Sequence, residues 1–111
     1  MAKDLSVNIL LDFYGELLTP KQQQALDGYY NQDLSLAEIA EDMQVSRQGV
    51  RAFIKDGEEH LHEFENKLHL AARFDKISRI TDLMADTLSQ LSANDFTEKL
   101  NRNILQIKQL L

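Results

Sequence analysis

Apolar residues recur at helical spacing near the start of the chain. They occupy every fourth position in one row, and a second row runs beside it; the rows are Leu5, Ile9, Phe13 and Leu17, and Leu10, Tyr14 and Leu18. Two adjacent rows of this kind indicate a helix with a broad apolar face. We therefore predict a largely buried helix over residues 5–18.

Thr19 and Pro20 end the first pattern and begin the next one. Thr19 can cap a helix, Pro20 suits the first helical position, and Gln22 completes a capping box with Thr19. The spacing predicts a second helix from about Pro20 to Tyr30, followed by a turn over residues 31–33. Its predicted inward side chains are Ala25, Leu26, Tyr29 and Tyr30.

Two capped helices joined by a very short turn follow. Ser35 and Glu38 form another capping box, and Ser46 caps the next helix. Small or apolar residues lie where two crossing helices would approach each other, namely Ile39, Ala40, Met43, Val45, Val50 and Phe53. This layout is typical of a helix-turn-helix motif. Gln44 occupies the turn position where Gly is usual, and Gln can adopt the strained conformation at some cost.

The helix that begins after Ser46 continues to about residue 68 and contains Gly57. Because Gly lowers helix propensity by about 1 kcal/mol relative to Ala, we expect a weak point or an end there. Farther on, apolar residues at spacings of three and four resume on both sides of a break over residues 92–95. Such stripes suit packing of helix on helix, so we predict a homodimer through the C-terminal helices.

These patterns predict an all-α fold, a helix-turn-helix bundle with a C-terminal helical extension. The low counts of Gly (4) and Pro (1) agree with this fold class. A chain of 111 residues suits a single domain. We expect its helix-turn-helix core over residues 19–68 and its dimerisation segment over residues 69–111.

Composition excludes several classes of function. The chain contains no Cys, which excludes disulfides and thiolate sites, and no apolar run reaches the length of a membrane span or a signal peptide. We expect a cytoplasmic protein that makes no membrane contact. His62 and Glu63 begin like a zinc-binding helix, but Asn66 stands where the second His belongs. Since no phosphate loop or catalytic set is evident either, we predict no enzyme activity, no metal site and no cofactor.

The net charge of −6 places a limit on nucleic-acid binding, because domains that bind nucleic acid are usually basic. Binding would therefore depend on a local patch, and the second helix of the motif offers one. Its candidate residues are Ser46, Arg47, Gln48, Arg51 and Lys55. Arg pairs with guanine and Gln with adenine in the major groove, whereas Lys55 suits phosphate. A solvated charged face would show the same spacing, so both interpretations stay open.

Several segments of this sequence resemble the YlxM family of small bacterial proteins. The segments are Leu18-Thr19-Pro20-Lys21-Gln22, Tyr29-Tyr30, Asp33 to Glu41, Val45-Ser46-Arg47-Gln48-Gly49-Val50 and Ile54-Lys55. The resemblance implies a helix-turn-helix like that of sigma-factor region four, which is unrelated to winged helices. It also implies a non-enzymatic regulatory protein of the signal recognition particle pathway that binds DNA, the particle's RNA or its protein.

The resemblance leaves an alternative function, in which the protein is an adaptor that does not bind DNA. It would then act directly on the signal recognition particle GTPase or on the particle's RNA. Residues 1–70 carry 6 basic and 13 acidic residues. A basic RNA-binding protein is therefore an electrostatically suitable partner for this chain.

Overall fold

The computed structural model describes residues 3–111, which form six α-helices. They are α1 (Leu5–Tyr14), α2 (Pro20–Leu26), α3 (Leu36–Met43), α4 (Arg47–Leu68), α5 (Leu70–Ser89) and α6 (Asp95–Leu110). No strand occurs in this described range, and the all-α prediction is confirmed. None of the helices within residues 3–111 combines the length and the apolar composition needed to cross a bilayer.

The chain divides into two compact units. The N-terminal unit extends to Ala71, and the C-terminal unit comprises Ala72–Leu111. The first holds α1 to α4 and the start of α5, and the second holds the rest of α5 and α6. The single domain that the sequence suggested over residues 1–111 stays a prediction.

The helices α2, α3 and α4 begin after the predicted capping residues Thr19, Ser35 and Ser46. The Thr19 hydroxyl accepts from the Gln22 backbone N–H, and the Gln22 side chain accepts from the Thr19 N–H, both at 3.3 Å. Ser35 and Glu38 form the same reciprocal pair at 3.1 and 3.2 Å. Each box satisfies N–H groups that the first helical turn leaves without partners. The predicted capping boxes are confirmed.

The core of the N-terminal unit lies around α4, which packs against α1, α2 and α3. The buried apolar side chains are Val7, Leu10, Leu11, Tyr14, Leu18, Ala25, Leu26, Tyr29, Ile39, Ala40, Val50, Ile54 and Leu61. They include three of the four side chains predicted to point inward from the second helix; the fourth, Tyr30, is partly buried. Beyond Leu26 that helix widens into a π-helical turn over Asp27–Asn31.

One of the two apolar rows that we predicted to be buried over residues 5–18 is largely exposed; α1 itself ends at Tyr14, and a 3-10 turn follows over Gly15–Leu17. Leu5, Ile9 and Leu17 are 79%, 56% and 58% exposed, whereas the second row is buried as expected. The neighbouring elements cover the side that carries Leu10 and Tyr14, whereas Leu5 and Ile9 face solvent. The prediction failed because α1 carries a wider apolar arc than its neighbours cover.

The predicted weak point at Gly57 is wrong, because α4 continues without interruption for 22 residues. Gly57 is buried, and a Cβ atom placed there would lie 2.6 Å from Cδ1 of Leu26 on α2. Leu26 itself is fully buried. The glycine therefore permits close approach of α2 and α4, and the packing outweighs its low helix propensity.

A buried tyrosine connects the end of α4 to the start of α5. The Tyr14 hydroxyl donates to Glu65 and accepts from the Leu70 N–H at 3.1 Å, while Glu65 accepts from the Ala71 N–H at 3.0 Å. Burial, followed by the hydrogen bond to Glu65, raises the pKa of Tyr14, so the hydroxyl remains a donor. These bonds satisfy N–H groups in the first turn of α5.

In the C-terminal unit, a break over residues 90–94 separates α5 from α6. Asn94 caps α6, and its side chain accepts from the Thr97 N–H at 2.9 Å. Lys108 and Asp82 join the two helices by an ion pair of 2.9 Å. The predicted break between two C-terminal helices is therefore present.

Candidate nucleic-acid interface

The turn between α3 and α4 gives the motif its geometry. Gln44 lies in the left-handed region with φ 56°, and the next residue, Val45, donates its N–H to the Ala40 carbonyl at 3.0 Å. This bond is the one that closes helices ending in a left-handed residue. Ile39 and Val50 are buried between the helices, and Val45 packs beside them. The predicted helix-turn-helix fold is thus confirmed.

Replacing Gln44 by Gly is expected to raise the free energy of unfolding by about 0.5–1 kcal/mol. The left-handed conformation costs a residue with a Cβ atom about 1–2 kcal/mol, and the entropy of Gly in the unfolded chain offsets part of the gain. Urea denaturation measures the change. Gln24, exposed inside α2, is the matched control, and Gln24→Gly is expected to lose about 1 kcal/mol. Equal losses in the two variants would contradict the role assigned to the turn.

Three basic side chains form a row along the outward side of α4. Arg47, Arg51 and Lys55 are spaced by four residues, and all three are exposed; we call them the basic row. Among residues 3–111, none of them has a carboxylate within 4 Å. The opposite side of α4 is anchored in the core by Val50 and Ile54, both with 0% exposure. The row therefore presents its charges to solvent on a rigid element.

The other two candidate residues lie at the start of the same helix. Ser46 caps α4, and its hydroxyl oxygen accepts from the Gly49 N–H at 2.9 Å. Its hydroxyl hydrogen can still be donated to another acceptor. Gln48 is exposed. All five predicted residues thus lie together on the first three turns of α4 or at its cap.

The basic row lies in an acidic setting. Residues 35–60 hold 3 basic and 6 acidic residues, and Asp56 and Glu59 are exposed beyond Lys55 on the same helix. Glu58 instead accepts a hydrogen bond of 2.6 Å from Tyr30, whose oxygen also accepts from the Asp4 N–H. Burial first, and the bond to Glu58 second, raise the pKa of Tyr30. Sequence reasoning missed this contact because its residues are 28 positions apart.

The histidines do not gather into a site with their acidic neighbours. His60 faces Glu63 one turn farther along α4, with 3.6 Å between Nδ1 and Oε2. Within the described residues, no group of three or more His, Asp and Glu side chains has the arrangement of a metal site. The basic row is thus the chemically distinctive surface of the motif.

Comparison with known proteins gives a family match over nearly the whole chain. Residues 1–103 match the sequence model of UPF0122, described as "Putative helix-turn-helix protein, YlxM / p13 like". A UPF0122 protein of Halalkalibacterium halodurans is 43% identical over 93 residues, which cover 84% of this chain and 85% of the relative. A UPF0122 protein of Staphylococcus epidermidis is 39% identical over 110 residues, covering 99% and 94%. Another, from Clostridium kluyveri, is 43% identical over 102 residues, covering 92% of each chain.

Proposed function

The chain belongs to the UPF0122 family of YlxM/p13-like proteins, and we propose that it is a non-enzymatic regulatory protein that binds double-stranded DNA. The observation that carries this proposal is the basic row on the second helix of a helix-turn-helix. Its three cations are exposed, and none has a carboxylate within 4 Å in the part of the chain that the structure describes. The second helix of such a motif enters the major groove with its N-terminal residues against base edges. The helix-turn-helix fold and the exposed positive charges therefore both favour double-stranded DNA as the ligand.

The five candidate residues divide into two roles in this proposal. Arg47, Gln48 and Arg51 lie nearest the start of α4 and are assigned to base edges, where Arg and Gln make bidentate hydrogen bonds. Ser46 and Lys55 are assigned to phosphates, which fix the position of the helix without reading sequence. Non-specific binding to DNA is expected to be weak, because the site has few cations and the acidic residues elsewhere in the chain repel phosphates.

Replacing Arg51 by Ala is expected to weaken duplex binding by roughly 5- to 150-fold, because a bidentate contact to guanine contributes about 1–3 kcal/mol. The duplex is first selected from genomic fragments that the full chain retains at low salt. Fluorescence anisotropy then measures the dissociation constant. Arg102→Ala, which removes an exposed arginine from α6, is the matched control and is expected to bind as the wild type does. Equal loss in both variants, or no retained fragment, would contradict the proposal.

We also propose that this regulator acts in the signal recognition particle pathway, as the resemblance to YlxM proteins implies. It is tested by purifying the protein from its native cells, sequencing the bound nucleic acid and identifying bound proteins by mass spectrometry. Recovery of DNA from operons of the particle's components supports the assignment. Recovery of unrelated DNA alone would separate DNA binding from this pathway.

A second candidate function is that of an adaptor on the signal recognition particle GTPase or its RNA. It is supported by the exposed apolar side chains of Leu5 and Ile9 on α1, beside the exposed carboxylates of Asp12 and Glu16. A basic, amphipathic protein segment would complement such a surface. Pull-down with the GTPase and measurement of GTP turnover test this candidate, with Ile9→Glu as the disrupting variant. No complex and unchanged turnover would exclude the GTPase as the partner, and absence of the particle's RNA from the purified native protein would exclude the RNA.

A further inference from the structure

The C-terminal unit exposes far more large apolar side chains than it buries. The exposed ones are Ile77, Ile80, Leu83, Met84, Leu91, Phe96, Leu100, Leu105, Ile107, Leu110 and Leu111. Across Ala72–Leu111, all of which the structure describes, the buried residues are Thr81, Thr97 and Ile104. Two helices with so small a buried interior do not make a self-sufficient core.

Size alone makes such a unit dependent on additional contacts. Units of about 40 residues or fewer usually need disulfides, metals or oligomerisation to fold stably. The chain has no Cys, so a disulfide is not available to this unit. Among the described residues, no group of His, Asp and Glu side chains could hold a metal ion either. Association through the exposed apolar surface remains, and it needs a partner that covers this surface.

Four of these exposed side chains, Ile80, Leu83, Met84 and Leu100, line a groove between α5 and α6. The groove has a volume of about 330 Å³, and its lining is completed by Thr87, Leu88 and Ile104. Along α5, apolar residues at 77, 80, 84 and 88 repeat at spacings of three and four. Repeats of this kind form the seams of helical bundles, in which each helix contacts a partner on two sides.

We propose that the groove is covered by a second copy of this chain, so that α5 and α6 of two protomers form a four-helix bundle. The two apolar faces are identical, and a two-fold axis brings each one against the other. This proposal does not depend on DNA binding. If the chain also binds DNA, the dimer carries two basic rows.

Charge permits self-association through this unit and opposes it through the other one. Residues 71–111 carry 6 basic and 5 acidic residues, so two C-terminal faces approach each other with little repulsion. Residues 1–70, with 6 basic and 13 acidic residues, would repel a second copy of themselves. A second copy is thus electrostatically compatible with the groove.

The available area agrees with a stable dimer. At 1.5 Å per residue and about 10 Å width per helix, the face shared by α5 and α6 measures on the order of 500 Å² in projection. The accessible area of a ridged helical face exceeds its projection. It therefore approaches the value of about 800 Å² that each partner buries in a standard interface.

The mass of the full chain in solution tests the proposal, measured by light scattering after size exclusion between micromolar and 100-micromolar concentrations. We expect twice the 12.8 kDa of one chain. Ile80→Glu is expected to give the monomer mass, because the dimer would bury the carboxylate. Ile9→Glu is the matched control on the N-terminal unit; the two isoleucines are 55% and 56% exposed, and this variant is expected to remain a dimer.

Circular dichroism accompanies each mass measurement. If Ile80→Glu loses helix content, the milder Leu83→Ala replaces it, and we expect retained helicity with a dimer dissociation constant raised roughly tenfold. Three results would overturn the proposal: a wild-type monomer at all concentrations, an assembly of another stoichiometry, or dissociation caused by Ile9→Glu and not by the groove variants.

Discussion

Replacing Ile54 by Ala is expected to lower the free energy of unfolding of the N-terminal unit by about 2–5 kcal/mol. Ile54 lies in the middle of α4 with 0% exposure, within the core cluster. Its truncation removes apolar contact area and leaves a cavity that neighbouring helices fill only partly. Since small domains are stable by about 5–15 kcal/mol, the loss is a large share of the total.

The matched control is Ile9→Ala, the same substitution in α1 of the same unit. Because the Ile9 side chain is 56% exposed, we expect a change within about 0.5 kcal/mol. Urea denaturation followed by tyrosine fluorescence measures both variants, since all three tyrosines, Tyr14, Tyr29 and Tyr30, lie in this unit. A large loss with Ile9→Ala would show that the exposed row of α1 belongs to the core after all.

Replacing Gly57 by Ala is expected to lower the free energy of unfolding by about 1–2 kcal/mol, although Ala is the better helix former. The added Cβ atom would meet Leu26 at 2.6 Å, inside a core where overpacking costs about 1–3 kcal/mol. The gain of about 1 kcal/mol in helix propensity offsets only part of this cost. The same denaturation measurement records the change.

Gly49 provides the control for Gly57, because it lies on the same helix and takes the same substitution. A Cβ atom at Gly49 would lie 3.4 Å from the Ser46 hydroxyl oxygen, an ordinary contact distance. We expect Gly49→Ala to raise the free energy of unfolding by about 0.5–1 kcal/mol. Stabilisation by both substitutions would show that α2 and α4 can separate at no cost.

The caps and the turn were predictable because their signals are local. Thr19 with Gln22, and Ser35 with Glu38, satisfy backbone groups within three residues of each cap, so the sequence alone identifies them. The spacing of the basic row also predicted that its side chains share one side of α4. Both predictions rest on the fixed geometry of one helix.

Features that depend on contacts between distant segments could not be read from the sequence. Which row of α1 is buried depends on the position of α4, and the need for a glycine at position 57 arises from Leu26 on another helix. Tyr14 and Glu65 are separated by 51 positions, yet their hydrogen bond joins α1 to the start of α5. In the candidate site, the spacing of Arg47, Arg51 and Lys55 predicts that they share one side of α4. The same spacing does not identify the molecule that binds them, because a solvated charged face has the same pattern.

The salt dependence of duplex binding tests the central claim most directly, namely that the basic row binds the phosphates and bases of DNA. The logarithm of the association constant is measured against the logarithm of salt concentration for the wild type and for Lys55→Ala. Because Lys55 is the cation of the basic row that we assign to phosphate, we predict that the slope becomes less negative by about 0.9 per protomer in the variant. A slope that Lys55→Ala leaves unchanged, or a wild-type affinity independent of salt, would contradict the account.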